Sequence, residues 1–294
     1  MESDRLAELR AHSVRVGSNP DLVQASGGNT SWKSDKTVWV KGSGRRLKDA
    51  VSKDIFSSIN YAALTQDDVL ACEDFSNLTL NDISPSIEAN FHIFLRTNFV
   101  THLHSLGSIA IGVAARNYEY KTLNQNVRFV PYARPGVELV NAISRTDGYA
   151  DNILILQNHG VIVSDQESAE IENKIEKLER DIYDYFEKIP QNDSFPNWIE
   201  ILTFGVLTPD EAVFLGAKPF VKSEEPLSNS VGINSNGELL FPVGFSSDRT
   251  DLAKFYVRVA KLIERKTQVD YLPDKEVHGL LGWDKEQIRI AMAK

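Results

Sequence analysis

Short strand-like segments alternate with helix-like segments along this chain, and this order restricts the fold more than any other feature. Residues 152–164 form an apolar segment interrupted by Gln-Asn-His-Gly, which predicts one buried strand or a pair of strands. The other segments with strand patterns are 37–44, 54–64, 99–104 and 127–133. Interleaved strands and helices predict an α/β or α+β fold in which helices cover a sheet.

The helix patterns lie between these strands. The first ends near Gly17. In residues 84–95, Ser84 is the expected cap and Pro85 the first helical residue. The remaining helix patterns are 105–117, 136–145, 248–266 and the long segment 165–189, for which Asp165 is the expected cap.

Residues 190–197 (Pro-Gln-Asn-Asp-Ser-Phe-Pro-Asn) are the best candidate for a boundary, because the composition there is typical of a linker. Residues 191–294 offer few strand patterns. We therefore expect a main domain in 1–190 and a mostly helical extension in 191–294 that packs on it.

Composition excludes several classes of partner. The 294 residues carry a net charge of −9, whereas non-specific nucleic-acid binding needs a basic surface. No apolar run approaches the ~20 residues that span a bilayer, and the N-terminus resembles a charged amphipathic helix rather than a signal peptide. The single cysteine, Cys72, cannot form an internal disulfide. These features predict a soluble cytoplasmic protein that binds neither nucleic acid nor membrane.

Two of the six histidines stand one residue apart in an otherwise strand-like segment. Side chains alternate along a strand, so His102 and His104 should share one face and could share one ion. His159, at the interruption of the apolar segment 152–164, could supply a third imidazole. Three neutral imidazoles would leave a coordination position open, as catalytic metal sites do. The alternative is that these histidines are hydrogen-bonded core residues.

Four separated segments together resemble the class II aldolase/adducin family, whose best-known members are zinc-dependent fuculose-1-phosphate and rhamnulose-1-phosphate aldolases. The segments are SGGNTSWK (26–33), KGSG (41–44), SPSIEANFH (84–92) with THLH (101–104), and LQNHG (156–160). Their order and spacing agree with the family over roughly residues 4 to 190. The first two segments are especially similar to the aldolase part of bifunctional rhamnulose-phosphate enzymes. The resemblance implies a three-layer α/β fold with a central, mainly antiparallel sheet covered by helices.

The resemblance also implies roles at the metal centre. His102, His104 and His159 would hold Zn²⁺, one ion per subunit. Glu88 stands where family aldolases have a carboxylate that binds zinc at rest and serves as the acid/base. The alternative for Glu88 is a solvated carboxylate in the first turn of a helix.

The family places a substrate phosphate in glycine-rich and serine-rich turns next to the metal. The matching residues here are Asn29, Ser43, Gly44 and Ser86, with the cationic residues Lys41, Arg45 and Arg46 nearby. Backbone N–H groups in such turns and at a helix start suit an anion. The alternative is ordinary turn chemistry.

Two features leave the substrate and the proton donor open. Family aldolases commonly have a second serine just before the acid, where this chain has Ile87. They also use a tyrosine as proton donor, for which Tyr118, Tyr120 and Tyr132 are the candidates.

The leading hypothesis is a zinc-dependent aldolase that cleaves or forms a C–C bond in a phosphorylated ketose, giving a triose phosphate and an aldehyde. The same metal site could instead serve dehydration or epimerisation of a sugar phosphate, or decarboxylation of a 3-oxo acid phosphate. A non-catalytic scaffold, as in adducin, is the alternative from another class. The family resemblance also implies a homotetramer.

Overall fold

The computed structural model describes residues 2–114, 123, 126–151 and 153–284. The strands of its main sheet are β1 (Asn29–Lys33), β2 (Thr37–Lys41), β3 (Phe56–Asn60), β4 (Phe99–Leu103), β5 (Val127–Val130), β6 (Ile153–Leu156) and β7 (Gly160–Asp165). Their spatial order is β3-β2-β1-β4-β7-β6-β5. Neighbouring strands are antiparallel except β5 and β6, which are parallel. The predicted, mainly antiparallel sheet is therefore confirmed.

Helices cover both faces of this sheet. They are α1 (Glu2–Gly17), α2 (Gln66–Ala71), α3 (Ala89–Phe94), α4 (Leu106–Val113), α5 (Val137–Ser144) and α6 (Ser168–Lys188). Adjacent residues of one strand lie in different cores: Val161 packs with α1, α4 and α6, whereas Ile162 packs with α2, α3 and α5. This alternation follows from the two-residue period of a strand, and it produces the predicted three layers.

The apolar segment around His159 is a pair of strands, β6 and β7, joined by a tight turn. Asn158 occupies the left-handed region, with φ of 53°. Gly160 has φ of +153°, and a Cβ atom there would lie 2.2 Å from the carbonyl oxygen of Leu103. Only glycine lets β7 begin this close to the end of β4.

Two local predictions differ from the structure. The third helix begins at Ala89, because Ser84 and Pro85 are held extended: Ser43 N–H donates to Ser84 O at 3.0 Å, and Pro85 forms a β-bridge with Gly42. Strand β1, in addition, has no recognisable strand pattern in the sequence.

Helix α6 also begins later than expected. Its cap is Glu167, because β7 continues through Asp165. The Asp165 carboxylate instead accepts the N–H groups of Gln166 and Glu167, at 2.7 and 3.4 Å.

The described part of the C-terminal region, up to residue 284, combines four helices with a small sheet. Its elements are α7 (Trp198–Phe204), α8 (Pro209–Leu215), α9 (Ser247–Ile263), α10 (Asp274–Leu281), β8 (Phe220–Lys222), β9 (Val231–Ile233) and β10 (Leu239–Leu240). The buried face of α9 belongs to the same hydrophobic core as α1, α4 and α6. The division at residue 190 remains a prediction. Among the described helices, none combines the length and the apolar character needed to cross a membrane.

Candidate active site

Three histidines converge at one end of the central strands. His102 lies in β4, His104 follows the end of that strand, and His159 lies in the turn before β7. Leu103 pairs with Val161, which brings the two segments side by side. Each histidine is at most 5% exposed, and one ring nitrogen from each lies within 4.8 Å of the others. The sheet therefore brings together the three imidazoles singled out in the sequence.

Hydrogen bonds fix the orientation of two of these rings. His102 Nδ1 lies 3.0 Å from Val161 O, a partner that can only accept, so this nitrogen carries the proton. His104 Nδ1 lies 2.9 Å from a carboxylate oxygen of Asp210. The Nε2 atoms of His102 and His104 approach each other to 3.0 Å. Burial lowers the pKa of His102 to about 4, which keeps this ring neutral and able to ligate a metal.

The Glu88 carboxylate faces the histidines with one of its two oxygens. Oε1 lies 3.4 Å from His159 Nε2 and 3.7 Å from His102 Nε2. Oε2 accepts a hydrogen bond of 2.8 Å from Asn29 Nδ2. In the part of the chain that the structure describes, Oε1 is buried without a hydrogen-bond partner. Such an atom is costly unless a cation or a proton compensates it.

This donor set fits a divalent transition metal. Three imidazoles and one carboxylate oxygen provide the nitrogen and oxygen ligands that Zn²⁺ and its neighbours accept, and the glutamate can be displaced by a substrate. Glu88 is 6% exposed and immediately precedes α3. It is therefore not a solvated first-turn carboxylate.

The residues expected at the phosphate line a cleft that also contains the metal-site groups. This cleft is lined by Asn29, Ser43, Gly44, Ser86, Glu88, His104 and His159, together with Ser26, Gly28, Lys41, Gly42, Ile87 and Pro135. The sequence-predicted site residues therefore meet at one place, with His102 directly behind them.

The details of the phosphate region differ from expectation. The Ser43 N–H group is already bonded to Ser84 O, so Ser43 offers its hydroxyl group rather than its amide. Ser86 precedes the helix, and its Oγ accepts the N–H of Glu88 at 3.2 Å. Asn29 Nδ2 also lies 3.2 Å from that Oγ. Ser86 therefore contributes through its side chain and not through a helix start.

Positive charge reaches the cleft through one of the three cationic residues nearby. Lys41 is 3% exposed and lines the cleft, and its ammonium group donates to the carbonyl oxygens of Ser26 and Arg45. The Arg45 residue is exposed, and the Arg46 guanidinium pairs with Asp248 of the C-terminal region. Lys41 is therefore the cation in position to face an anionic ligand.

Two polar residues of the site were not singled out in the sequence. Ser26 has a buried hydroxyl without a hydrogen-bond partner among the described residues. It stands in the glycine-rich segment 26–33, and serine is so common in turns that its type gives little signal. Asp210 lies 106 positions beyond His104, and no local pattern could have indicated their pairing.

None of the three tyrosine candidates is identified as the proton donor. Tyr132 donates a hydrogen bond of 3.0 Å to Glu276 and does not line the cleft. Burial raises its pKa well above the usual range. Tyr118 and Tyr120 lie outside the described residues.

Comparison with known proteins identifies the fold family. Residues 11–183 match the family of the Class II Aldolase and Adducin N-terminal domain. Among solved structures, the N-terminal class II aldolase domain of a conserved protein from Thermoplasma acidophilum is 26% identical, with a TM-score of 0.48 over 60% of this chain and 92% of that chain. YgbL from Escherichia coli is 23% identical, with a TM-score of 0.47 over 62% and 87%.

L-fuculose-1-phosphate aldolase from Thermus thermophilus is 16% identical, with a TM-score of 0.41 over 62% of this chain and 93% of that chain. No curated protein has a significant match. The family match covers more than half of the chain and includes every residue of the cleft described above. The chain belongs to the class II aldolase and adducin family.

Proposed function

We propose that this protein is a zinc-dependent aldolase that cleaves or forms a C–C bond in a phosphorylated ketose. The products of cleavage would be a triose phosphate and an aldehyde. The observation that carries the proposal is the buried Oε1 atom of Glu88, which faces His102 and His159 at the end of a cleft lined by hydroxyl and ammonium groups.

His102, His104 and His159 would hold the metal, with Glu88 as an additional ligand at rest. A bound zinc ion would supply Lewis-acid polarisation of the ketose carbonyl. The chain's own contribution is to keep the His102 ring neutral and to direct the Nε2 atoms of His102 and His104 toward each other. The hydrogen bond from His102 to Val161 O and the contact between His104 and Asp210 support this role.

Glu88 would move the proton. In the synthetic direction, Oε1 takes a proton from the carbon next to the substrate carbonyl, and in the cleavage direction it returns that proton. Asn29 holds Oε2 through its amide, so only Oε1 is directed at the reacting carbon. The burial of both residues excludes water that would otherwise solvate the carboxylate.

The opposite part of the cleft would bind the phosphate group. Ser43 and Ser86 provide neutral hydroxyl donors, Asn29 donates to the Ser86 hydroxyl and so orients it, and Lys41 provides a positive charge. Gly44, with φ of +68°, lets the backbone follow the wall of the cleft. Binding energy from the phosphate helps to place the reacting carbon next to Glu88.

The test of this proposal is a panel of phosphorylated and free ketoses, assayed for release of an aldehyde and a triose. The phosphorylated form should have the higher kcat/KM, and Ser43→Ala should lower kcat/KM for that form more than for the free sugar. Ser52→Ala is the control, because Ser52 is exposed and its hydroxyl donates to the nearby Asp49 carbonyl.

The products also separate the competing reactions. An isomerised or dehydrated sugar without aldehyde release, or carbon dioxide from a 3-oxo acid phosphate, would assign the same site to another reaction. Equal kcat/KM for phosphorylated and free substrates would refute the phosphate-binding role.

We also propose that the protein is a homotetramer that functions in the cytoplasm. A monomer in light scattering at micromolar concentration would contradict the tetramer.

A further inference from the structure

His104 contacts a carboxylate that comes from outside the segment matched to the family. Asp210 lies in the first turn of α8, whereas the family match ends at residue 183. Its Oδ2 atom is 2.9 Å from His104 Nδ1, and the two side chains are 9% and 6% exposed. The contact therefore joins the C-terminal region to a histidine of the candidate metal centre inside the protein.

The surroundings hold this carboxylate in place. Thr208 caps α8 by accepting the N–H of Glu211, and its hydroxyl is also hydrogen-bonded to the Tyr256 hydroxyl of α9. On the other side, a Cβ atom on Gly27 would lie 3.1 Å from His104 Nδ1 and 3.3 Å from Asp210 Oδ2. The absence of a side chain at Gly27 lets the glycine-rich segment close over the contact.

A second contact links the C-terminal region to the turn that carries His159. The side-chain amide of Asn158 donates to the carbonyl oxygens of Leu207 and Asp270, each at 2.8 Å. Leu207 lies just before α8, in the same segment that presents Asp210. Both histidine-bearing segments, 101–104 and 156–160, are therefore contacted by residues within 207–270.

We propose that the C-terminal region completes the metal centre, with Asp210 as a positioning residue for the ligand His104. This inference rests on the metal centre of the proposed function. A carboxylate next to Nδ1 keeps the proton on that nitrogen, fixes the ring orientation and makes Nε2 a stronger ligand. Removing such a partner typically costs about 10–100-fold in metal affinity.

The test is a measurement of Zn²⁺ affinity in the full-length protein by competition with a chromophoric chelator, starting from metal-free protein. Asp210→Ala should weaken binding by about 10–100-fold. Asp210→Asn should have a smaller effect, because its amide oxygen can still accept the Nδ1–H bond without the charge. The absorption spectrum of the Co²⁺-loaded protein should also change in Asp210→Ala, because the ring of one ligand is no longer held.

Glu211→Gln is the matched control. Glu211 is the next residue on α8, is fully buried, and accepts the N–H of Leu207. Because burial raises its pKa to about 8, it is mostly neutral at pH 7, and glutamine closely replaces it. Zn²⁺ affinity of this variant should equal that of the wild type. Thermal unfolding of each metal-free variant shows whether the fold is retained.

The outcomes separate this inference from the proposed function. Wild-type affinity in Asp210→Ala would overturn the positioning role while leaving the metal centre intact. Equal losses in Asp210→Ala and Glu211→Gln would also overturn it, because they would indicate a general loosening of α8. If Asp210→Ala does not fold, Asp210→Asn and Gly27→Ala replace it in the test, because a Cβ atom on residue 27 would crowd the contact between His104 and Asp210. Unchanged Zn²⁺ affinity in both variants would refute the inference. A wild type that binds no metal would refute the proposed metal centre itself.

Discussion

The two oxygens of the Glu88 carboxylate have different surroundings. Oε2 is held by Asn29, whereas Oε1 faces His102 and His159 without a hydrogen-bond partner in the described part of the chain. A carboxylate oxygen buried in this way needs a compensating partner such as a cation. These different surroundings of the two Glu88 oxygens suit a side chain that alternates between binding a metal and carrying a proton.

Glu88→Gln should abolish most turnover and leave metal binding in place. Glutamine keeps the shape of the side chain but cannot accept the proton, so kcat should fall by about 10²–10⁴-fold. The three histidines should still hold one ion, which elemental analysis would detect. Glu170→Gln, on the exposed face of α6, is the control and should keep wild-type turnover. Near wild-type kcat in Glu88→Gln would exclude this residue as the acid/base.

The raised pKa of Glu211 predicts that the stability of the protein depends on pH. Burial raises its pKa to about 8, compared with 4.5 for an ordinary glutamate. Between these values the folded state keeps a proton that the unfolded state releases, so this contribution to stability is lost as the pH rises.

Glutamine cannot ionise, so the Glu211→Gln variant should gain stability relative to the wild type between about pH 5 and pH 8, by at most about 1.4 kcal/mol per pH unit. The measurement is urea unfolding of metal-free protein across this range. If the difference in the free energy of unfolding between Glu211→Gln and the wild type did not change with pH, it would contradict the raised pKa of Glu211.

Among the elements, β4 and the β6–β7 turn determine the position of the histidines. Alternation along β4 places His102 and His104 on one face, and pairing with β7 brings in His159. The second feature depends on Gly160, whose missing side chain lets β7 begin next to Leu103. The histidine cluster is therefore positioned mainly by backbone geometry.

Gly160→Ala should destabilise the protein and weaken metal binding. Its Cβ atom would meet Leu103 O at 2.2 Å, so β4 and the turn must separate. Overpacking of this kind typically costs about 1–3 kcal/mol in the free energy of unfolding, measured by urea denaturation of metal-free protein. Gly282→Ala is the control, because its Cβ would have only ordinary contacts. Equal stability of the two variants would show that the turn tolerates a side chain.

The elements predicted correctly from the sequence have a clear period of apolar residues or clear boundary residues such as glycine, proline and asparagine. The strand pattern of 99–104 and the interrupted segment 152–164 both correspond to observed strands. Strand β1 had no strand prediction of its own, because Asn-Thr-Ser-Trp-Lys lacks apolar alternation although all five residues are buried. Tertiary contacts compensate for this polarity: the Lys33 ammonium, for example, donates to carbonyl oxygens at the end of α3, including that of His92 at 2.7 Å.

The start of α3 shows a second limit of local patterns. Ser84 and Pro85 have the residue types of a helix start, but hydrogen bonds from the distant glycine loop hold them extended. The pairing of His104 with Asp210 is also a product of the tertiary fold. The sequence therefore indicated which residues meet in the cleft, and long-range contacts determined their hydrogen bonds and support.

At the scale of the whole molecule, the C-terminal region packs on one face of the sheet and contacts His104. Helix α9 shares a core with α1, α4 and α6, and α8 delivers Asp210 to His104. A ligand that binds only the folded state stabilises it by mass action. Because the candidate ligands come from separate segments of the chain, metal binding should raise the unfolding temperature of the whole protein.

The proposed function depends on one divalent metal ion held by His102, His104 and His159. The most direct measurement is elemental analysis of protein prepared without chelator, compared with the His102→Ala variant. We expect about one zinc ion per chain in the wild type, and no stoichiometric metal in a variant that remains folded by circular dichroism. A metal-free wild type that does not take up added Zn²⁺ would contradict the account.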